Sequence, residues 1–341
     1  MLQRILVPLD GSPRAEQAIP VAASIAKNTG GTVLLLYVTT LSTPYGPYIG
    51  QTISFTEEIR ELDVANANSY LEQIAHSDQL DGVKTHTEVL TGTPALVILS
   101  YAQSHQADLI VLCSHGYTGL KRWALGSVAQ KITRNSSVPV LVLRTDRSDI
   151  PLQHAEGTRS VRALVALDGS ALAEATMVPT AYLVAALTTA LQHGLLHLIR
   201  VIKPTSEREE RKYQAYDINI REYYRREAET YLSTASDTLS RELPEELGVQ
   251  ITSSVVEAED VAETLIHIAE TGEDTGSPQV KGYDLLAIAT HGRSGIQRWL
   301  VGSIAERVLD GSRLPLLIVR PPQVISTSSP EDEATYQRVS P

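Results

Sequence analysis

Two Gly-Ser pairs, Gly126-Ser127 and Gly302-Ser303, are the residues of this chain best suited to holding a phosphate. Each stands at the same distance from a polar-His-Gly triplet. Ser114-His115-Gly116 is followed by nine residues and Gly126-Ser127, and Thr290-His291-Gly292 by nine residues and Gly302-Ser303. A glycine ahead of a helix lets backbone N–H groups approach a phosphate without a Cβ in the way. The serine supplies an N-cap and a hydroxyl donor, and the helix N-terminus adds partial positive charge. An ordinary cap after a glycine turn accounts for the same residues, and duplication repeats structure as readily as function. Asp10 and Asp168, each inside the sequence LDGS, end an apolar run. In an open α/β sheet such strand ends form the ligand crevice, where an Asp accepts from an exocyclic amine or a ribose hydroxyl. The competing role is a cap, or a turn with Gly11 or Gly169. The fixed nine-residue spacing, with an Asp across the same crevice, favours a phosphate site over a bare cap.

His115 and His291 occupy matched places, but no nucleophile or carboxylate stands beside either, so lining a phosphate or a turn is expected over proton transfer. No catalytic residue is assigned, and no metal held by protein side chains alone is expected. Trp123 and Trp299, after Arg122 and Arg298, read as loop anchors rather than base-stacking platforms. Ser206–Arg226 carries many opposite charges three and four apart and reads as a solvated helix, with Tyr213, Tyr216, Tyr223 and Tyr224 as a seam.

The elements that must position these residues are written twice. RILVPLDGS at 4–12 returns as RALVALDGS at 162–170, and ADLIVLCSHG at 107–116 as YDLLAIATHG at 283–292. GLKRWALGSV at 119–128 returns as GIQRWLVGSI at 295–304, and VPVLVLR at 138–144 as LPLLIVR at 314–320. The offset is 158 residues for the first pair and 176 for the later ones, so the second copy carries 18 extra residues between its first and fourth strands. Gly272–Gly282 is one expected place for them. Short β-branched runs alternate with helical periodicity, the βαβ pattern of a parallel sheet. Strands are expected over Arg4–Leu9, Thr32–Val38, Thr85–Leu90, Asp108–Cys113 and Val138–Leu143, then over Arg162–Leu167, Gly194–Ile202, Gln250–Val256, Asp284–Ala289 and Pro315–Val319. Helices are expected over Pro13–Thr29, Glu57–His76, Pro94–Gln106 and Ser127–Asn135, then over Leu172–Gln192, Glu207–Arg241, Val261–Thr271 and Ser303–Leu309. Strands apolar on both faces, such as Leu109–Leu112 and Leu285–Ile288, call for helices on both sides of the sheet.

A chain of 341 residues suits two domains of about 150 each. The expected division is 1–146 and 161–321, with a polar linker at 147–160 and a disordered tail at 322–341 rich in Ser, Pro, Thr and Glu. The net charge of −11 argues against a non-specific nucleic-acid binder. Cys113 is the only cysteine, which excludes an intramolecular disulfide and a cysteine-rich metal site. Residues 1–10 lack the pattern of a signal peptide, and the most apolar stretches, such as Met177–Leu191, are too short or interrupted for a spanning helix. A cytoplasmic protein without membrane contact is the expectation.

VPLDGS, SHGYTGLKRWALGSVAQKI and VPVLVLR, in that order, resemble a universal stress protein domain, and the second copy resembles another. The resemblance implies a five-stranded parallel sheet in the order 3-2-1-4-5 in each repeat and, in one branch of the family, an ATP site marked by Gly-x2-Gly-x9-Gly-Ser/Thr. Carried over, Asp10 and Val38 would face adenosine, with Gly116, Gly126, Ser127 and Val128 on ribose and phosphates. The counterparts are Asp168 and Val201, with Gly292, Gly302, Ser303 and Ile304. Pro8, Leu112, Cys113 and His115, and Ala166, Ile288, Ala289 and His291, complete the expected lining. The implied ligand is ATP, alone or with Mg. The first motif glycine is replaced by Cys113 and Ala289, where any need for φ > 0 would strain the backbone. Glu259, near the place of Gly92, would repel phosphates in the second copy, so the first is expected to be the better site.

The resemblance also implies that the fifth strands, Val140–Leu143 and Leu316–Val319, pair antiparallel within one chain and cover each other's edges, with a homodimer and an unidentified protein partner beyond that. The function expected is an adenine-nucleotide-binding stress-response protein that senses or signals by occupancy. Two alternatives stand beside it. A nucleotide hydrolase on the same fold is disfavoured by the absence of a GxxxxGK[ST] loop, and a nucleotide-free interaction module would leave the Gly-Ser turns structural.

Overall fold

Apolar runs flanked by turn residues become strands, and the 3.6-period segments between them become the helices that cover both faces. The computed structural model describes residues 2–40, 52–114, 125–144, 152, 160–188, 192–272, 282–290 and 302–320, with side chains of 52–58 excepted. The first half contains β1 (Arg4–Leu9), α1 (Pro13–Glu16), α2 (Ala18–Thr29), β2 (Thr32–Thr39), α3 (Thr52–Ala75), β3 (Lys84–Thr91), α4 (Pro94–Ser104), β4 (Leu109–Cys113), α5 (Ser127–Asn135) and β5 (Val140–Leu143). The second contains β6 (Arg162–Ala166), α6 (Ala171–Glu174), α7 (Met177–Leu187), β7 (Gly194–Ile202), α8 (Glu207–Gln214), α9 (Ile220–Glu242), β8 (Val249–Glu257), α10 (Val261–Thr271), β9 (Leu285–Ala289), α11 (Ser303–Gly311) and β10 (Leu316–Val319).

Three expected helices are each two. The segment 13–29 divides at Gln17 and the segment 172–192 at Ala175–Thr176. The physical reason is a proline in the first turn of the following helix, Pro20 or Pro179, which cannot donate to the carbonyl four residues back. The expected helix 207–241 breaks at Ala215–Asn219, where Asp217 takes φ 58° and the Asn219 side chain accepts from Glu222 N at 3.1 Å to start α9. The expected seam of four tyrosines on one solvated helix is therefore divided, with Tyr213 on α8, Tyr216 in the turn, and Tyr223 and Tyr224 on α9.

The ten strands form one sheet in the order β3-β2-β1-β4-β5-β10-β9-β6-β7-β8, so each half keeps the order 3-2-1-4-5. Every neighbouring pair is parallel except β5 and β10, which meet antiparallel with Val140 opposite Ile318, Leu141 opposite Leu317 and Val142 opposite Leu316. Ile5, Val33, Thr85 and Leu109 lie in register in the first half, and Ala163, Leu196, Ile251 and Leu285 in the second. By that register, five of the extra residues precede β7, three precede β8 and ten precede β9, the last group in the connection that holds Gly272–Gly282.

Side-chain alternation sends each strand's residues to two apolar layers. One holds Val7, Leu35, Val111, Val165, Leu198 and Ala287 under α2, α3, α7 and α9; the other holds Leu6, Leu36, Ile110, Leu164 and Leu286 under α4, α5, α10 and α11. Both layers run through the β5–β10 seam. Around it Asn28 Nδ2 donates to Ala186 O at 2.7 Å, Arg134 pairs with Glu306 at 2.7 Å, Arg144 Nη2 donates to Leu309 O, and Arg320 Nη1 donates to Asn135 O at 3.3 Å. Of the expected linker, only Leu152 and Ser160 are described, and Leu152 is buried in the first layer; the expected tail lies outside the described residues. No helix among the described residues is long and apolar enough to cross a membrane. Leu141, fully buried at the seam, tests its weight. Leu141→Ala is expected to cost about 2–5 kcal/mol in urea unfolding followed by circular dichroism.

Candidate functional site

At the carboxyl end of β1 the chain turns through Asp10-Gly11-Ser12. Asp10 Oδ1 accepts from Ser12 N at 3.0 Å and Ser12 Oγ at 2.6 Å, and Ser12 Oγ accepts from Ala15 N at 3.2 Å to cap α1. Asp168 and Ser170 repeat this at 3.0, 2.5 and 3.2 Å with Ala173 N. Gly11 and Gly169 take φ +77° and +85°, the left-handed region that favours glycine. The turn role of both aspartates is thus present, and it occupies Oδ1 of a two-oxygen carboxylate.

The second turn follows β4 and β9. Gly126 N donates to Ser114 O at 2.7 Å, and Gly302 N to Thr290 O at 2.8 Å, holding each turn against its strand end. The expected serine N-cap is corrected: Gly126 and Gly302 are the N-caps, while Ser127 and Ser303 are the first helical residues. With glycine at the cap, no cap side chain satisfies the first N–H groups of either helix, which suits them to an external anion. Gly302 has φ −58°, and among the described residues a Cβ there would meet only Thr290 O at 3.5 Å, an ordinary contact. Neither its backbone conformation nor its packing against the described residues calls for glycine at this position.

In the second half these groups converge on a cavity of about 200 Å³. Its lining includes Ala166, Asp168, Val201, Ile288, Ala289, Gly302, Ser303 and Ile304, which are all the described members of the site expected there. His291 and Gly292 lie outside the described residues, as do His115, Gly116, Arg122, Trp123, Arg298 and Trp299. The lining also contains Leu167, Ala173, Ile199, Val261, Leu265, Thr290 and Ala305, which sequence reasoning missed. Period-two alternation from Val201 would have found Ile199, and the four-residue spacing of Val261 and Leu265 marks one face of α10. The cavity is apolar along the strand ends and polar at Asp168, Thr290 and the Gly302-Ser303 turn, with no cationic side chain among the described residues of its lining.

In the first half, Pro8, Asp10, Val38, Leu112, Cys113, Gly126, Ser127 and Val128 hold the matched positions on β1, β2, β4 and the start of α5. One difference sits on the opposite face of the second strand. Tyr37 packs edge-on against Tyr70, its hydroxyl directed at Asp10 O at 3.5 Å, and Tyr70 donates to Glu16 at 2.9 Å. Register puts Arg200 at the place of Tyr37, and this buried guanidinium pairs with Glu227 at 2.8 Å over the Tyr231 ring.

Two further expectations are corrected. Cys113 and Ala289 end β4 and β9 as regular strand residues, and the non-glycine residues with positive φ among those described are Gln106 and Asp217. Replacing the motif glycine therefore strains nothing at these positions. Glu259 is exposed and absent from the cavity lining, while neighbouring Asp260 is held by Arg307 at 2.7 Å. The carboxylate reason for ranking the first half above the second falls away with it. His193 and His197 stand four apart, a ligand spacing on a helix, but in extended chain that separates them by about 13 Å. His197 is instead bonded to Thr252 and Ser254 at 2.7 and 2.9 Å. Among the described residues no group of three or more His, Cys, Asp or Glu side chains is arranged to hold a metal ion.

Burial, followed by the nearby Asp10 charge, pushes the Cys113 thiol up to about 12 from 9.0. The native state favours the neutral thiol, so its contribution to stability is complete below about pH 9 and is lost as pH rises toward 12. At pH 8 the native thiol should alkylate with iodoacetamide roughly a thousandfold more slowly than in urea, read by intact mass.

The model of the universal stress protein family matches residues 1–144 and 161–320. A universal stress protein of Methanocaldococcus jannaschii is 35% identical over 150 residues, covering 44% of this chain and 86% of its own length. One from Mycobacterium tuberculosis is 28% identical over 321 residues, covering 93% of this chain and 96% of its own. The crystal structure of a universal stress protein from Archaeoglobus fulgidus covers 94% of this chain and 99% of its own with a TM-score of 0.60 at 18% identity, a likeness of fold. The chain belongs to the universal stress protein family, with two copies of its domain in tandem.

Proposed function

We propose that this protein binds adenine nucleotide, ATP alone or with Mg, at the carboxyl ends of its central strands and acts in a stress response by reporting nucleotide occupancy. The observation that carries the reading is the Gly302-Ser303 turn, where a glycine that packing against the described residues does not require opens a helix with no cap side chain into a cavity facing Asp168. Apolar strand ends at Ala166, Ile199, Val201 and Ile288 suit the faces of a base, and Asp168 suits a ribose hydroxyl or an exocyclic amine. A cavity of about 200 Å³ accommodates a base and part of a sugar, which leaves the phosphates at the turn and the first N–H groups of α11. The same groups at Asp10, Val38 and Gly126-Ser127 make the first half a second site.

Titration calorimetry with ATP on the full chain tests this. Binding is expected in the wild type, with a thermal upshift equivalent to about 2.7 kcal/mol at a hundredfold excess over Kd. Gly126→Val with Gly302→Val should abolish it while shifting stability by less than about 1 kcal/mol, because these turns have ordinary negative φ. No heat and no thermal shift in the wild type would remove the nucleotide reading and leave an interaction module.

Asp168→Asn keeps the turn geometry and removes the charge. It is expected to weaken ATP binding at the second site about tenfold, and equal affinity would exclude a ligand-facing role for the carboxylate.

A further inference from the structure

The two glycine turns are tied to each other across the seam by crossed hydrogen-bond chains. In the first half, Gly126 N donates to Ser114 O at 2.7 Å and Ser114 N to Leu143 O at 2.9 Å. The next residue, Arg144, donates to Leu309 O in the last turns of α11. In the second half, Gly302 N donates to Thr290 O at 2.8 Å and Thr290 N to Val319 O at 3.0 Å. Here the next residue, Arg320, donates to Asn135 O at the end of α5 at 3.3 Å. Each turn is therefore secured to the far end of the helix that opens at the other turn. Arg134 in the last turn of α5 adds an ion pair at 2.7 Å to Glu306, whose N–H donates to Gly302 O at 2.9 Å.

Both helices are nine residues long, a length that is marginal without support and that forms cooperatively. An anion at the N-terminus and a guanidinium at the C-terminus stabilise the same helix through the same dipole. Helix order is thus an element with two states that both turns bias. We propose that the two sites are energetically coupled through Arg144 and Arg320, so that a nucleotide phosphate at either turn tightens the other. The sign is positive, because the first ligand has already ordered the helix whose end secures the second turn. Arg144 and Arg320 are positioning residues in this scheme, and the proposal rests on the nucleotide reading above.

Hydrogen exchange on the full chain, resolved to peptides 125–136 and 302–312, reports each turn separately. With ATP, the protection midpoint of 125–136 is expected to move to about fivefold higher ATP when Gly302→Val closes the second site. In the background of Arg144→Gln with Arg320→Gln the same closure should move it less than about twofold. Arg144 is buried, so Arg320→Gln alone, whose bond is exposed, repeats the comparison at 302–312 with Gly126→Val as the closing change. A midpoint indifferent to closure in the otherwise wild-type chain would overturn the coupling and leave nucleotide binding intact. Absence of ATP protection in either peptide would overturn the nucleotide reading instead, and ligand-free exchange then decides the coupling. Arg320→Gln should speed exchange at Gly126–Gln130 about tenfold, at the opposite end of α5 from the lost bond; an unchanged rate there would overturn it.

Discussion

Pairing of β5 with β10 is the constraint from which the rest of the architecture follows. A five-strand sheet in the order 3-2-1-4-5 leaves its fifth strand with an unsatisfied edge, and these two strands are four apolar residues each. Antiparallel pairing satisfies both edges at once and buries Leu141 against Leu317. It also reverses strand direction at the middle of the sheet, so the carboxyl-end crevices of the two halves open toward opposite sheet ends. The end of β5 then lies beside the start of β10, where α11 finishes, which is why Arg144 reaches Leu309 O and Arg320 reaches Asn135 O. The seam thus joins the two halves and sets which helix end each turn is bonded to.

Within each half the residues proposed to face the ligand also hold the strand-end turns together. Asp10 and Asp168 organise the first turn through one carboxylate oxygen, with Ser12 and Ser170 passing the bond on to the next helix. Gly126 and Gly302 do the opposite, leaving helix N-termini without a side-chain cap. A capped helix and an uncapped one face each other across the crevice, and the uncapped one is where an anion gains most from the backbone.

The halves have diverged behind the site. Tyr37 and Tyr70 form an aromatic contact in the first, where Arg200 and Glu227 place an ion pair over Tyr231 in the second. Glu16 accepts from Tyr70, and its counterpart Glu174 stands in the charge environment of Tyr231. A buried arginine requires such a partner, because removing either member leaves an uncompensated charge in the layer.

Much of this was legible in the residues themselves. Apolar periodicity and the written-out repeat determined the two α/β halves and their ten strands, because hydrophobic patterning is a local property. The nine-residue spacing identified Gly126-Ser127 and Gly302-Ser303, and the family resemblance pointed to Val38 and Val201. Other features required the fold. Only the cap geometry showed that glycine rather than serine ends the turn, and only the exposure of Glu259 removed it from the site. The strand conformation of Cys113 and Ala289 settled what replacing a motif glycine does there, since φ depends on the ladder that holds the residue. The bonds from Arg144 and Arg320 span 165 and 185 residues, a separation that no periodicity or motif records. Short-range pattern determined the order of strands and helices along the chain; long-range pairing decided which of their ends meet.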